Sequence, residues 1–214
     1  MSGLTTFERF QRDTDKHQMT TLLDQGTYRH LLFKEPGTGF YWFELITAPG
    51  ILTITSDMGT YSFRRIDDMF RFFGWGTDSY INLRYWGEKL ASISTEGYKT
   101  HSAERFTEWV NDDWKDRLDE FTPAQRVKIR AAIDNHFFSD WSEFNLEFGE
   151  ESYRALNEFP EVEGFEYTDA WECNWDDYNY HFIWCCHAIR WGIGQYRREA
   201  AAFRAPYTSA RWAA

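Results

Sequence analysis

The sequence contains no long hydrophobic run and only three cysteines among its 214 residues. No apolar stretch approaches the roughly 20 residues that a membrane-spanning helix requires. The polar first sixteen residues also lack the apolar centre of a signal peptide, so we expect neither a leader nor a membrane anchor. Three cysteines without regular spacing favour a reducing compartment over a disulfide framework.

Nucleotide-binding glycine loops and zinc-binding cysteine pairs are also missing. The Gly-Trp-Gly at 74–76 lacks the third glycine and the preceding buried strand of a dinucleotide site, and no Gly-Lys-Ser or Gly-Lys-Thr occurs. The nearest approach to a metal site is a scattered group of thiols and imidazoles. Its members are Cys173, His181, Cys185, Cys186 and His187. Free cysteines in an apolar helix are most often core residues, so we predict no metal and no cofactor.

Basic residues are fewer than acidic ones, and the imbalance is greatest in one segment of the chain. The chain has 34 acidic and 23 basic residues, a formal net charge of −11, which argues against nucleic acid as the main partner. Residues 139–177 hold 13 of the acidic side chains and a single basic one, Arg154. Aromatic residues are interleaved with these carboxylates, whereas acidic disordered segments are poor in aromatics. We therefore predict a folded, strongly negative surface.

Short aromatic and β-branched runs separated by turn residues predict a sheet in the first hundred residues. The predicted strands are 29–33, 40–46, 52–55 and 60–64, with 19–23 as a candidate fifth. Period-two alternation places one set of apolar residues on a common face. The set is Leu31, Phe33, Tyr41, Phe43, Leu45, Leu52, Ile54, Tyr61 and Phe63. Phe40, Trp42 and Ile46 fall on the other face, so we expect both faces to be covered, by helices or by a partner.

Apolar residues at helical spacing predict helices in the rest of the chain. The predicted helices are 66–73, 82–90, one from 102, one from 123, 153–159 and 176–203. The expected fold is α+β. An N-terminal antiparallel β-meander of four to five strands with short helices, residues 1–100, precedes a mainly α-helical, acidic, aromatic-rich C-terminal half, residues 101–214.

Two alternative chemistries draw on the predicted sheet. A metal-dependent hydrolase or nuclease would use His30 with Asp57, Asp67 and Asp68. Turn and helix-start preferences explain the three aspartates without catalysis, so an enzyme is the less favoured hypothesis. A single-strand nucleic-acid binder would stack bases on sheet aromatics flanked by cations. The residues concerned are Arg29, Lys34, Arg64 and Arg65 with Tyr28, Trp42 and Tyr61.

The acidic stretch 139–177 is either a solvated surface or an interface that imitates a phosphate backbone. A dense negative potential speeds association with a basic partner, and tryptophan and tyrosine dominate binding energy at interfaces. The candidate partner-binding residues are Asp140, Trp141, Glu143, Glu147, Glu150, Glu151, Glu161, Glu163, Glu166 and Trp171.

Several motifs in the front half are similar to those of a known group of sequences. They are HQM at 17–19, YRHL at 28–31, YWFELITAPG at 41–50, DMGTYSF at 57–63, DMFRFF at 68–73 and INLRYWGEKL at 81–90. Residues 13–91 thereby resemble a group of uncharacterised proteins of tailed bacteriophages and prophages. The resemblance implies a phage accessory protein acting in the host bacterial cytoplasm, and it implies no catalytic or binding residues.

Charge and resemblance together favour one functional hypothesis. The chain is expected to be a non-enzymatic inhibitor of a bacterial antiviral system, of anti-CRISPR or anti-restriction type. Its partner would be a CRISPR effector subunit or a defence nuclease, bound through the acidic, nucleic-acid-mimicking surface without direct contact to nucleic acid or membrane. This step rests on analogy with other small acidic phage proteins rather than on a mechanism.

Overall fold

The computed structural model describes residues 6–74, 81–168 and 172–209, with side chains up to residue 202. The chain forms two compact units, which we call the sheet unit, residues 1–98 with 178–214, and the acidic unit, residues 99–177. We expected 101–214 to form one region, but the last 37 residues belong with the sheet. Within the described ranges, no helix combines the length and apolarity needed to cross a membrane.

The sheet unit contains one antiparallel sheet of six strands in chain order. The strands are β1 Gln18–Gln25, β2 Tyr28–Lys34, β3 Phe43–Ala48, β4 Ile51–Ser56, β5 Gly59–Arg64 and β6 Leu90–Ser92. Its described helices are α1 Thr6–Thr14, α2 Met69–Phe73, α3 Leu83–Gly87 and α7 Tyr180–Ser209. The predicted α+β class and meander are confirmed. The sixth strand was missed because its three residues, which pair with β5, are too few to show alternation.

The predicted alternation of buried residues is confirmed on one face of the sheet. Eight of the nine residues assigned to that face are fully buried, from Leu31 to Phe63. The exception is Tyr41, which is half-buried and has a left-handed backbone, with φ 57°. That conformation cannot extend a strand, so β3 begins at Phe43 rather than at Phe40.

The opposite face of the sheet is more open than we expected. All four described helices of the sheet unit contribute core residues on the Leu31 face, among them Phe10 of α1 and Trp86 of α3. On the other face, Ile46 is 39% exposed. Hydroxyl pairs such as Thr53 with Ser62, 2.8 Å apart, bridge β4 and β5 there. The expectation of cover by helices or by a partner is thus met by helices on the Leu31 face, and it stays a prediction for the other face, which is largely polar.

The C-terminal helix α7 fills the buried side of the sheet. Its first half is apolar around its circumference, and Trp184 and Ile189 are fully buried in the same core as the strands. Gly192 allows the closest approach: a Cβ there would lie 2.9 Å from Leu45 Cδ1 and 3.1 Å from Phe33 Cζ. The helix therefore lies against the sheet at a distance that only glycine permits.

The acidic unit is mainly helical. Its elements are β7 Lys99–His101, α4 Ala103–Asp116, a 3₁₀ turn Leu118–Glu120, α5 Pro123–Ile133, a π-helical turn Asp134–Phe138, α6 Gly149–Asn157 and β8 Asp176–Tyr178. The two short strands pair with each other. The predicted capping box is present, with the Thr122 and Gln125 side chains each bonded to the other residue's backbone amide. A separate aromatic core, which includes Phe106, Phe137 and Trp175, holds the unit together.

The approach of α7 to the sheet predicts a specific cost for one methyl group. We expect Gly192→Ala to lower the free energy of unfolding by about 1–3 kcal/mol relative to Gly194→Ala, because the new methyl overpacks the Leu45 side. A Cβ at Gly194 meets its nearest atom at 3.7 Å, and both variants share the helix-propensity gain of alanine. Urea unfolding followed by circular dichroism measures the difference. Equal stabilities would contradict the close packing.

A half-buried histidine on α7 predicts a pH dependence of stability. Burial lowers the pKa of His187 to about 4, and its ring packs against Phe7 and Phe10 of α1. Because the unfolded imidazole has a pKa near 6.5, the unfolded chain binds more protons between pH 6.5 and pH 4. Stability from this residue is complete above about pH 6.5 and falls as the pH drops through that window.

The measurement compares wild type with His187→Gln at pH 7 and pH 5. After discounting for partial exposure, we expect wild type to lose about 1 kcal/mol more than the variant over this step. The remaining titratable groups are common to both proteins and cancel in the comparison. An equal loss in the two proteins would show that His187 is charged in the folded state.

Candidate functional site

The acidic unit has a larger negative net charge than the whole chain, because the sheet unit is slightly positive. It holds 21 acidic and 8 basic residues, a net charge of −13 against −11 for the whole chain. At least seven of the eight basic side chains already form ion pairs with carboxylates of the same unit. Such exposed pairs add little stability. These pairs neutralise the basic side chains of the unit, and a large excess of unpaired carboxylates is left.

A loop between the π-helical turn and α6 presents the most exposed tryptophan described. Trp141 is 93% exposed, while Phe144, three residues later, is 8% exposed and belongs to the core. The Ser142 hydroxyl donates to the His136 carbonyl oxygen at 2.8 Å. The Ser139 hydroxyl donates to the Asn135 carbonyl oxygen at 2.7 Å. The start of the loop is therefore held in place, and Trp141 projects from a fixed backbone.

The far end of the same loop is also anchored. The carbonyl oxygen of Leu146 lies 3.1 Å from His101 Nε2 and 3.3 Å from the hydroxyl of Ser152. Ser152 is fully buried, and its hydroxyl is 3.0 Å from the same imidazole nitrogen. The Glu147 amide donates to Asn145 Oδ1 at 3.2 Å. Hydrogen bonds thus hold both ends of the loop, between which Trp141 is exposed.

Exposed carboxylates surround this loop. Asp140, Glu143, Glu147 and Glu150 are exposed, and no ion pair involves them among the described residues. Glu150 lies in the first turn of α6, where the helix dipole favours a negative charge. This part of the predicted set thus combines free negative charge with an exposed indole.

The single cation of residues 139–177 lies within the acidic cluster. Arg154 Nη2 is 2.7 Å from Glu151 Oε2, and its guanidinium carbon lies 4.8 Å from the centre of the Phe144 ring. The hydrogen bond to Glu151 raises the pKa of Arg154, and the charges of Glu158 and Glu143 act in the same direction. Glu158, the residue that ends α6, was not among the predicted residues, although its spacing of four from Arg154 was a usable signal.

The other predicted partner-binding residues are arranged differently. Glu163 has a left-handed backbone, with φ 54°, and its carboxylate pairs with Lys128 Nζ at 2.6 Å, so its charge is neutralised. Glu161 and Glu166 are exposed on either side of it. The Glu166 carbonyl oxygen accepts a hydrogen bond from Arg117 at 2.9 Å. Trp171 lies outside the described residues.

A second acidic feature was not singled out from the sequence. The exposed side of α4 carries a carboxylate at every fourth residue, while Phe106, Val110 and Trp114 occupy its buried side. The stripe consists of Glu104, Glu108, Asp112 and Asp116. The four-residue spacing alone could have identified it. All four positions are carboxylates, so the stripe itself contains no aromatic residue.

The structure gives the residues of the hydrolase alternative separate partners. His30 Nε2 is 3.0 Å from Glu44 Oε2 on the open face of the sheet. Asp57 accepts the Tyr41 amide at 2.7 Å. Asp68 caps α2 and pairs with Arg29 at 2.9 Å. Asp57 and Asp68 are thus used in a turn, a cap and an ion pair, and neither forms a hydrogen bond or ion pair with His30 in the described chain.

The single-strand binding alternative loses two of its residues to the core. Arg29 is 8% exposed, and its guanidinium lies over the rings of Phe70 and Tyr196 at 4.6 and 5.6 Å. Tyr61 is fully buried. Lys34, Arg64 and Arg65 remain exposed, together with Tyr28.

The sulfur and imidazole groups singled out from the sequence are dispersed. Cys185 and Cys186 are fully buried in the sheet-unit core, and desolvation raises the pKa of the Cys185 thiol to about 12. His181 Nδ1 is 2.9 Å from Glu96. Cys173 belongs to the acidic unit. In the part of the chain that the structure describes, no three or more His, Cys, Asp or Glu residues are grouped to hold a metal ion.

No family model, curated protein or solved structure matches this chain significantly. The likeness of residues 13–91 to phage proteins therefore stays a prediction.

Two tryptophans of the acidic unit should respond oppositely to truncation. We expect Trp141→Ala to change the free energy of unfolding by less than about 0.5 kcal/mol, because the side chain is 93% exposed. Trp175→Ala should cost about 3–5 kcal/mol, because its ring is buried against Phe106, with 5.0 Å between ring centres. Urea unfolding followed by circular dichroism measures both. A large loss for Trp141→Ala would mean that its indole packs in the fold.

Proposed function

We propose that this chain is a phage-encoded, non-enzymatic inhibitor of a bacterial antiviral defence system, of anti-CRISPR or anti-restriction type. Its acidic unit binds the basic groove of a host nucleic-acid-binding protein, a CRISPR effector subunit or a defence nuclease. The inhibitor acts in the host cytoplasm, where that groove would otherwise hold nucleic acid. It needs no cofactor, because occupying the groove is sufficient.

The observation that carries the proposal is the anchored loop that presents Trp141 among unpaired carboxylates. An indole exposed to 93% is not required by the core of the acidic unit. Large aromatic residues held in rigid positions are the side chains that most often dominate binding energy at protein interfaces. Asp140 and Glu143 flank it and are free of ion pairs among the described residues, so they can meet a basic partner.

The charge distribution supports different roles for the two units. The acidic unit, at −13, attracts cationic surfaces and repels nucleic acid, which speeds encounter with the partner and keeps the inhibitor off nucleic acid itself. The sheet unit, at +2, serves as scaffold or as a second contact surface. Trp141 then contributes short-range burial after the charges have brought the surfaces together.

Charge reversal around Trp141 tests the proposal. We expect the combined changes Asp140→Lys, Glu143→Lys, Glu147→Lys and Glu150→Lys to weaken partner binding by at least about 100-fold, because like charges then face each other across the interface. The partner is first recovered by affinity purification from phage-infected host cells and then purified. Binding is measured with and without a competing DNA duplex, which should displace the inhibitor.

The matched control reverses the same number of carboxylates on α4, at Glu104, Glu108, Asp112 and Asp116. It changes the net charge equally, so it should weaken binding by less than about tenfold, through a long-range effect that salt removes. Both variants should unfold at nearly the wild-type temperature. Equal losses in the two variants, or inhibition by the first variant that matches wild type, would contradict the proposed surface.

A further inference from the structure

The open face of the sheet carries a group of exposed apolar side chains around His30. Strand pairing places Leu23 of β1 opposite His30 on one side and Ile46 of β3 opposite it on the other. Tyr28 lies two residues before His30 on β2 and therefore points to the same face. Leu23 and Ile46 are each 39% exposed, and Tyr28 is 53% exposed. We call these three residues together with His30 the His30 patch.

The polar centre of the His30 patch is already paired. His30 Nε2 is 3.0 Å from Glu44 Oε2, and Glu44 lies on the same face of β3, two residues before Ile46. Both side chains of this pair are half-buried. Among the residues of the six strands that point to this face, Glu44 is the only carboxylate. A group that covers the patch therefore meets no unpaired carboxylate on these strands.

Two cations lie at opposite corners of the same face. Lys34 is four residues beyond His30 on β2, and Arg64 is opposite Ile51 at the end of β5. Both are exposed, and neither forms an ion pair among the described residues. From the spacing of strands and residues, the two cations are about 25 Å apart, and each lies roughly 12–13 Å from a residue of the patch. The free charge on this face is therefore positive.

The shape and chemistry of this face fit a helix. The opposite face of the same strands is covered by α7, and a sheet commonly carries helices on both faces. The exposed side chains of the patch are aliphatic except for Tyr28, so they offer little surface on which nucleic-acid bases could stack. A span of about 25 Å corresponds to about 16 helical residues. Carboxylates near the two ends of such a helix would reach Lys34 and Arg64.

We propose that the open face of the sheet docks an acidic amphipathic helix of a partner protein. The apolar stripe of that helix covers Leu23, Tyr28 and Ile46, and its carboxylates pair with Lys34 and Arg64. This surface belongs to the sheet unit and attracts negative charge, whereas the acidic unit attracts positive charge. The inference therefore goes beyond the proposed function and does not depend on it.

The experiment titrates the full-length, ¹⁵N-labelled chain with a synthetic amphipathic peptide of about 16 residues, with leucine on one helical face and glutamate on the other. We expect saturable shifts of the His30, Ile46 and Thr53 amide signals, with a dissociation constant of about 100 μM or below. The comparison peptide carries lysine in place of every glutamate. It should bind at these signals at least about tenfold more weakly, because it meets Lys34 and Arg64 with like charge.

Three results would overturn the proposal. The first is no saturable shift at these signals with the acidic peptide up to about 2 mM, or equal binding of the lysine peptide there. The second is tighter binding of a thymidine oligonucleotide at the same signals, which would assign the face to nucleic acid. The third is a shift of these signals when the free chain is diluted, which would assign the face to a second copy.

Charge variants tie binding to the two corners of the face. The double change Lys34→Glu and Arg64→Glu should weaken binding of the acidic peptide by about tenfold or more, because attraction becomes repulsion at both ends. The matched control, Arg71→Glu with Arg198→Glu, alters the net charge equally at exposed positions on α2 and α7. It should weaken binding by less than about threefold, through a long-range effect that salt removes. Equal losses in the two variants would contradict docking on this face.

An apolar variant tests the centre of the face without changing any charge. Ile46→Thr keeps a β-branched side chain and should weaken binding by about 3–10-fold, because it removes apolar surface from the patch. Val127→Thr makes the same change at a position of the acidic unit that is 71% exposed, and it should leave binding unchanged. Circular dichroism checks that both variants fold. Unchanged peptide affinity in Ile46→Thr would place binding elsewhere and overturn the site.

Discussion

The close packing of α7 on the sheet is the constraint on which the rest of the structure depends. Gly192 lets the helix approach Leu45 and Phe33, and Trp184 and Ile189 of the same helix are buried in the same core. The strands come from the start of the chain and the helix from its end, so this core exists only when the two ends meet. Residues 99–177 lie between the strands and the helix in the sequence, and they fold as an inserted second unit. The residues that flank the insertion are adjacent, because the Asn179 amide donates to the Tyr98 carbonyl oxygen at 3.1 Å. The inserted unit has adjacent ends and its own aromatic core. Its amino-acid composition can therefore differ strongly from that of the sheet unit.

Local signals in the sequence were sufficient for the elements but not for their assembly. Alternation from Leu31 to Phe63 predicted the buried face of the sheet, and Thr122 with Gln125 predicted the start of α5. No local pattern, however, reports that Gly192 lies against Phe33, because that contact joins residues far apart in the chain. The same limit explains why residues 101–214 looked like one region. The strand boundary at Phe43 was missed for another reason, because the left-handed backbone of Tyr41 is held by its bonds with His17 and Asp57.

The candidate surface was only partly predictable. Counting charges located the carboxylates, because charge is additive along the sequence and most charged side chains stay in water. Counting could not separate exposed from buried aromatics. Trp141, Phe144 and Trp175 stand in equally acidic surroundings, yet only Trp141 faces solvent. What separates them is tertiary: Phe144 and Trp175 are drawn into the core, and hydrogen bonds from Ser142 and Ser152 fix the loop so that Trp141 is left outside. Likewise, the ion pair of Glu163 with Lys128 joins positions 35 residues apart, and no local pattern reveals it.

The insertion of one unit within the other has a consequence for the order in which the protein is made. A ribosome delivers the six strands first and the acidic unit next, and only then the helix that covers the sheet. Until α7 emerges, Leu45, Phe33 and their neighbours form an apolar face without its cover, although the highly charged acidic unit has already been synthesised. Electrostatic repulsion between nascent chains on neighbouring ribosomes would then work against their association through that face during synthesis. These carboxylates, which we assign to partner binding, would therefore also keep the nascent chain soluble before α7 has been synthesised.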